Sequence, residues 1–357
     1  MNQDDLRNDP DQRWSHAAAV LRSHREAQRL RWGDVDEAMI ARFVTGFLGS
    51  QGAIEEQQRV LRAIVEHPEL LDCIETVLDA LSGEVRHERL ERSIRFKKDR
   101  LARQVGHYLL PRSSPELLGY QFFAERQAPV QVRWDYYDFI PISDDRMAIV
   151  IADVSGGGMR AVQMLAMLRN DVRHCILTKG SPGSAADALN TLLYEAGVEE
   201  RFITLCLGML DTKAHCFTFT SAGHLPVLVR RAGGHVEDFG HGLSGFPLGI
   251  MPESNYQQTA IDLAPGDVVV LYSDAITDSR DVREELYDTV ENPRLRRCIG
   301  ATVGDAEAVG RAIIDDIREF EAGGRASIDG ILKAGPRHYS DITLLCFGPH
   351  REGTQPN

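Results

Sequence analysis

The stretch Arg146-Met-Ala-Ile-Val-Ile-Ala-Asp153-Val-Ser-Gly-Gly-Gly-Met-Arg-Ala161 decides how the rest of the chain is read. Met147 to Ala152 form a short, continuous apolar run rich in β-branched residues, the pattern of a buried strand. The run stops at Asp153. Val154, Ser155 and the glycines Gly156 to Gly158 follow, and apolar residues then return at helical spacing as Met159, Val162, Leu165, Ala166 and Leu168. The order is therefore strand, aspartate, glycine turn, helix. A carboxylate where a core strand ends is costly if buried alone, so it is either solvated or bound to something positive. Glycines let the backbone approach that group closely. We read Asp153 as the central ligand of a metal site. The three glycines lack the GxGxxG spacing and do not make a nucleotide-binding fingerprint.

Other strand ends repeat the theme. Val130 to Trp134 runs into Asp135-Tyr-Tyr-Asp138, Val268 to Ser273 ends at Asp274, and Ser340-Asp341 precede the apolar run Ile342 to Phe347. Each aspartate alone is an ordinary turn residue. Together, carboxylates with backbone carbonyls form a hard oxygen donor set suited to Mg²⁺ or Mn²⁺ rather than zinc. Two such ions can activate a water and stabilise in-line displacement at phosphorus.

The flanking pattern is of short strands in hairpins. Tyr120 to Ala124 and the pair Phe202–Leu210 and His215–Ser221, with a turn at Asp211-Thr-Lys, alternate with helical stretches such as Ala185 to Glu195. A further turn is expected at Ser143-Asp-Asp-Arg146. This predicts an α+β fold with largely antiparallel sheets. Before it, Trp14 to Leu81 carries apolar residues at a 3.6-residue period in about four blocks, with Asp34 placed to cap the second. Residues 82 to 110 are highly charged with one apolar stripe, the signature of a linker helix. We therefore divide the chain into a helical region over 1–92, a linker helix over 93–115 and a catalytic domain over 116–350. The first region carries no catalytic motif; its expected role is to bind a regulator or a second copy in a homodimer.

Composition sets the class. The 357 residues are 43% hydrophobic and 26% charged, an ordinary globular balance. A net charge of −13 argues against a general nucleic-acid binder. The six cysteines are scattered without a CxxC pair and read as buried free thiols. The polar N-terminus is not a signal peptide and no apolar run reaches the roughly 20 residues of a membrane helix. The expected location is the cytoplasm, with no membrane and no nucleic-acid partner.

From about Gln104 to Phe347 the chain resembles the SpoIIE/RsbU-type serine phosphatases, the bacterial branch of the metal-dependent (2C-type) protein phosphatase family. The matching segments, in order, are His107-Tyr-Leu-Leu-Pro111, Asp135-Tyr-Tyr-Asp-Phe139, Asp153-Val-Ser-Gly-Gly-Gly-Met-Arg-Ala161, Ser221-Ala-Gly-His-Leu-Pro226, Phe246-Pro-Leu-Gly-Ile250, Leu271-Tyr-Ser-Asp-Ala-Ile-Thr-Asp278 and Ser340-Asp-Ile-Thr-Leu-Leu345. The resemblance implies an αββα sandwich of two antiparallel sheets with two Mn²⁺ or Mg²⁺ ions at one edge. It implies that Asp153 bridges both ions, that Asp135 and the carbonyl of Val154 serve one, and that Asp274 serves the other with the last motif. The implied catalytic residues are Asp153, Asp135 and Asp274. The implied reaction is hydrolysis of phosphoserine or phosphothreonine by a metal-activated water, without a phosphoenzyme. The implied substrate is a phosphorylated anti-sigma-factor antagonist in a partner-switching pathway, with an upstream activator at the N-terminal helices.

Several positions depart from the family pattern. Arg133-Trp134 replace two glycines before Asp135, with Arg133 a candidate phosphate contact. Ala275 replaces a glycine after Asp274. Ser340 stands where the family has the first of two aspartates, a neutral ligand in place of a carboxylate, which leaves one metal site in doubt and opens the alternative of a pseudophosphatase that docks a phosphoprotein without turnover. His224 is expected to serve its turn by hydrogen bonding rather than as a ligand.

Overall fold

The apolar run read from the sequence is a central strand of the protein. A computed structural model describes residues 17–19, 21, 35–45, 51–83, 105–106, 108–127, 134–156, 158–197, 202–240, 242, 245–323 and 342–351. The run becomes β3 (Arg146–Val154). It is buried along its length except at Arg146, at the exposed end, and at Asp153, because sheet neighbours flank it on both edges. It pairs antiparallel with β2 (Trp134–Ser143) through the expected turn at Asp144-Asp145, and with β4 (Ile203–Asp211) on its other side. Asp211 Oδ1 accepts from the amides of Lys213 and Ala214 at 3.1 and 2.9 Å and closes the turn into β5 (Cys216–Ala222).

Two five-stranded sheets result. One has the order β2-β3-β4-β5-β8, with β8 at Gln258–Asp262. The other runs β1-β10-β9-β6-β7, built from β1 (Tyr120–Gln127), β6 (Val227–Arg230), β7 (Val236–Phe239), β9 (Val268–Tyr272) and β10 (Ile342–Pro349). All strand pairs are antiparallel. The sheets pack face to face through aromatic rings. Phe122 of β1 meets Phe139 of β2 edge-on at 5.7 Å, and Phe347 of β10 meets Phe217 of β5 at 5.0 Å. These T-shaped contacts are the favoured geometry for ring quadrupoles.

Among the described residues, helices cover the outer faces. The helix at Pro182–Glu195 packs on β4 and β5, its first turn capped by Ser181. The helix at Ala306–Glu321 packs on β1 and β10; Asp305 caps it through the Ala308 amide at 2.9 Å, and Val309, Ile313, Ile314 and Ile317 form its buried stripe. The order is thus α, β, β, α, as expected. The sequence reading left β7, β8, the helix at Arg294–Ala301 and the helix at Ala306–Glu321 without elements.

The chain divides into two compact units, Met1–Leu109 with Gly157–Leu168, and Leu110–Gly156 with Arg169–Asn357. In the first, helices at Glu37–Thr45, Gln51–Glu66 and Leu70–Gly83 are amphipathic and share buried Ile40, Ile64 and Ile74. Arg42 Nε donates to Glu56 at 3.0 Å across two of them. Asp36 caps the first: its Oδ1 accepts from the Met39 amide at 2.7 Å. Asp34 lies outside the described residues, as does most of the expected linker helix, 93–104.

In chain order we number the helices α1 (Glu37–Thr45), α2 (Gln51–Glu66), α3 (Leu70–Gly83), α4 (Gly158–Lys179), α5 (Pro182–Glu195), α6 (Asp274–Thr277), α7 (Arg294–Ala301) and α8 (Ala306–Glu321).

Candidate metal centre

Asp153 is the penultimate residue of β3 and stands directly opposite Asp135 of β2 and Thr204 of β4. Residues directly opposite on neighbouring strands project from the same face of the sheet. Two carboxylates and a hydroxyl therefore form one row across three strands. Asp135 is almost fully buried at 3% exposure, while Asp153 is half-buried at the open end.

Beyond Asp153 the chain turns sharply. The Ser155 amide donates to the Phe202 carbonyl at 3.2 Å, and Ser155 Oγ accepts from the Phe202 amide at 2.9 Å. This ties the turn to the start of β4. Gly156 follows with φ +103°, a conformation that side chains rarely adopt, and no atom stands within 4 Å of where its Cβ would be. Gly156 is thus a backbone requirement at the mouth of the site.

A third carboxylate comes from the end of the other sheet. Strand β9 ends at Tyr272, and the buried Ser273 is bonded twice to β10: its amide donates to the Thr343 carbonyl, and its Oγ accepts from the Thr343 amide, each at 3.0 Å. Asp274 begins the one-turn helix α6 and is half-buried. Its backbone carbonyl accepts from Thr277 Oγ1 and from the Asp278 amide.

Asp153, Val154, Ser155, Gly156, His224 and Asp274 face a common cavity of about 390 Å³, walled on its apolar side by Phe202 and Leu225. Residues far apart in the sequence thus converge. Asp135 stands in register beside Asp153 rather than among the lining residues. His224 Nδ1 lies 3.0 Å from Thr204 Oγ1. Burial pushes the His224 ring down to about 4, so it is neutral at physiological pH.

Asp138 does not join this group. It is three residues from Asp135 on the same strand, so it projects from the opposite face. There Arg173 of α4 grips it with two bonds, Nε to Oδ2 at 2.7 Å and Nη2 to Oδ1 at 2.9 Å, and the Tyr136 hydroxyl donates to it at 3.0 Å. It sits mid-strand rather than at a strand end, and its role is structural. Among the described residues no three His, Cys, Asp or Glu side chains stand together at metal-binding spacing. Ser340, Asp341 and Arg133 lie outside the described residues.

The donor set fits a hard divalent cation. It offers carboxylate oxygens, a strand-end carbonyl and an open turn, with a neutral imidazole beside them. Thr204, Phe202 and Leu225 were not marked by the sequence. Their types carry no metal signal, and only the β3–β4 register and the turn after β5 bring them to the cavity. The six cysteines are free, as expected; burial raises Cys206 to about 12. No described helix is long and apolar enough to cross a membrane.

Comparison with known proteins agrees with this architecture. Residues 143–346 match the family model described as Stage II sporulation protein E (SpoIIE). The chain is 28% identical over 272 residues to Protein IcfG of Synechocystis sp. (strain ATCC 27184 / PCC 6803 / Kazusa), covering 68% of this chain and 40% of that protein. It is 29% identical over 169 residues to Phosphoserine phosphatase RsbU of Bacillus subtilis (strain 168), covering 47% of this chain and 49% of that one. The chain thus spans half or less of the length of these curated relatives. The SiaA-PP2C domain of Pseudomonas aeruginosa superposes with a TM-score of 0.56 at 17% identity, over 72% of this chain and 98% of that domain, which speaks to the fold.

Proposed function

The chain belongs to the SpoIIE family, and from that premise we propose that it is a metal-dependent protein serine/threonine phosphatase whose reaction centre is the cavity between Asp153 and Asp274. The observation that carries this reading is the convergence of those two carboxylates, one from each sheet, with Asp135 in register beside the first.

Asp153 would be the central residue holding Mn²⁺ or Mg²⁺ at this centre. Asp135 and the Val154 carbonyl would help hold one ion, and Asp274, with Ser340 or Asp341 of the last motif, would help hold a second. When bound, such ions lower the pKa of a water and neutralise charge gathering on a phosphoryl group. The protein's own groups do the rest. Asp153 and Asp274 line the cavity with carboxylate oxygens. The bonded turn at Ser155 keeps Val154 and Asp153 in place, and Phe202 and Leu225 give the phosphorylated residue an apolar wall. In the overall reaction the serine or threonine ester P–O bond breaks, a P–O bond to water forms, and the free hydroxyl and inorganic phosphate leave.

The finer reading rests on the resemblance of the ordered motifs to the SpoIIE/RsbU-type phosphatases. We assign as substrate a phosphorylated anti-sigma-factor antagonist of a partner-switching pathway, and to residues 1–92 the binding of an activator or of a second copy. Residues 93–115 are the linker and 116–350 the phosphatase domain. Ser340 supports a second reading, a phosphoprotein-binding module with a crippled metal site. The test is hydrolysis of an aryl phosphate by the purified protein, titrated with Mn²⁺ and then Mg²⁺, beside Asp153→Asn and Ser340→Asp. Turnover that needs metal and vanishes in Asp153→Asn supports the enzyme. Turnover that survives in Asp153→Asn refutes the site, and turnover appearing only in Ser340→Asp favours the binding module.

A further inference from the structure

His224 lies in a turn built to hold its ring still. Ser221 Oγ accepts from the His224 amide and donates to the His224 carbonyl, both at 3.2 Å. Gly223, between them, has φ +69°, and a Cβ there would come within 2.7 Å of Pro247. The turn therefore needs glycine twice over, for its backbone conformation and for the close approach of the next segment.

The ring's neighbours lie on both sides of the reaction centre. On one side Nδ1 meets Thr204 Oγ1 at 3.0 Å, and Thr204 stands directly opposite Asp153. On the other, the Tyr272 backbone acts on the ring, and Tyr272 is the last residue of β9, two positions before Asp274. His224 itself lines the cavity that holds both carboxylates. Its Nε2 is buried. A polar ring placed between Thr204 of β4 and the end of β9, in the wall of the candidate site, touches the frame of both carboxylates.

We propose that His224 is a positioning residue, whose ring spans from Thr204 to the end of β9 and sets the separation of Asp153 from Asp274. The proposal rests on the metal-site reading above. The ring touches neither substrate nor the reacting atoms; it acts through the spacing of the two carboxylates, on which the affinity for a divalent cation depends.

Three variants of the full chain test this. His224→Phe keeps a ring and removes both nitrogens. Thr204→Val removes the Nδ1 partner while keeping shape. His224→Asn retains a polar atom within reach of Thr204. The measurements are Mn²⁺ affinity by titration calorimetry and Tm in chelator. The expected result is at least a tenfold loss of Mn²⁺ affinity in His224→Phe with Tm in chelator unchanged or raised. A smaller loss is expected in Thr204→Val, and partial recovery in His224→Asn. Wild-type Mn²⁺ affinity in His224→Phe would overturn the proposal. So would a fall in Tm accompanying the loss of affinity, with no recovery in His224→Asn, since that is the pattern of a purely structural residue. A wild-type protein that binds no Mn²⁺ would overturn the metal site itself and this proposal with it, an outcome distinct from the other two.

Discussion

Asp135→Asn should make the metal-free protein more stable while destroying its response to metal. Asp135 and Asp153 are directly opposite across the β2–β3 pair, and Asp135 is 3% exposed. Side chains so placed are about 5 Å apart. At an effective dielectric of about 20, two unit charges at that distance repel by roughly 3 kcal/mol. Water at the cavity end screens part of this, leaving an expected gain of about 1–3 kcal/mol when one charge is removed; Asn keeps the shape and one acceptor. For a domain of this size each kcal/mol moves Tm by about 2–4 °C, so Tm in EDTA should rise by roughly 2–12 °C. The wild type should instead gain from metal, about 2.7 kcal/mol when free Mn²⁺ is a hundredfold above its dissociation constant. Differential scanning calorimetry in EDTA and in Mn²⁺ reads both effects. A variant less stable than wild type in EDTA, or one keeping the full Mn²⁺ shift, would refute the reasoning that these two carboxylates are held together for a cation.

Other consequences are structural. Arg173→Met leaves the buried Asp138 without its cation; urea unfolding should show a loss of about 3–5 kcal/mol, with part of it recovered when Asp138→Asn is added. Ser273→Ala removes the acceptor of the Thr343 amide and should cost about 1–2 kcal/mol, lowering Mn²⁺ affinity as well because Asp274 is the next residue. Burial lifts Glu321 to about 7 from its ordinary value of 4.5. Because the folded state holds this proton more tightly, its stabilisation is complete below the ordinary value and is lost as pH rises through about 7. Glu321→Gln should therefore flatten the pH dependence, with roughly 1–2 kcal/mol separating it from wild type across that window after allowance for solvent screening. Denaturation midpoints from pH 4 to 8 that run parallel for the two proteins would count against this account of Glu321.

Elements with a local signature were legible from the sequence alone. Runs such as Met147 to Ala152 and Val268 to Tyr272 contain little but apolar residues, and a segment of that kind and length has few alternatives to a strand covered on both faces. The helices α1 to α3 declared themselves by period, and the ordered acidic motifs named the family. Asp36, which caps α1 through the Met39 amide, carried no more signal by type than Asp34 two residues earlier. Strands β7 and β8 escaped because they are four and five residues long and mixed in polarity. Helix α8 did carry a signal, an Asp305 cap before Val309, Ile313 and Ile317 at four-residue steps, in a stretch where no acidic motif drew attention.

What the sequence determined by itself was a set of strand ends bearing aspartates and the chemistry those oxygens suit. It did not determine which of them meet. Asp135 and Asp138 look alike in the chain. The alternation of side chains along β2 sends the first to the row with Asp153 and the second to Arg173 on the opposite face. Asp274 reaches the same cavity from the other sheet only because the two sheets pack face to face, with Ser273 bonded to β10. Thr204 and His224 enter the site by register and by a turn. The physical reason is one of range. Periodicity and turn chemistry act over a few residues, whereas convergence depends on pairing between strands far apart in the chain, which hydrophobic burial of whole faces fixes once the sheets close on each other.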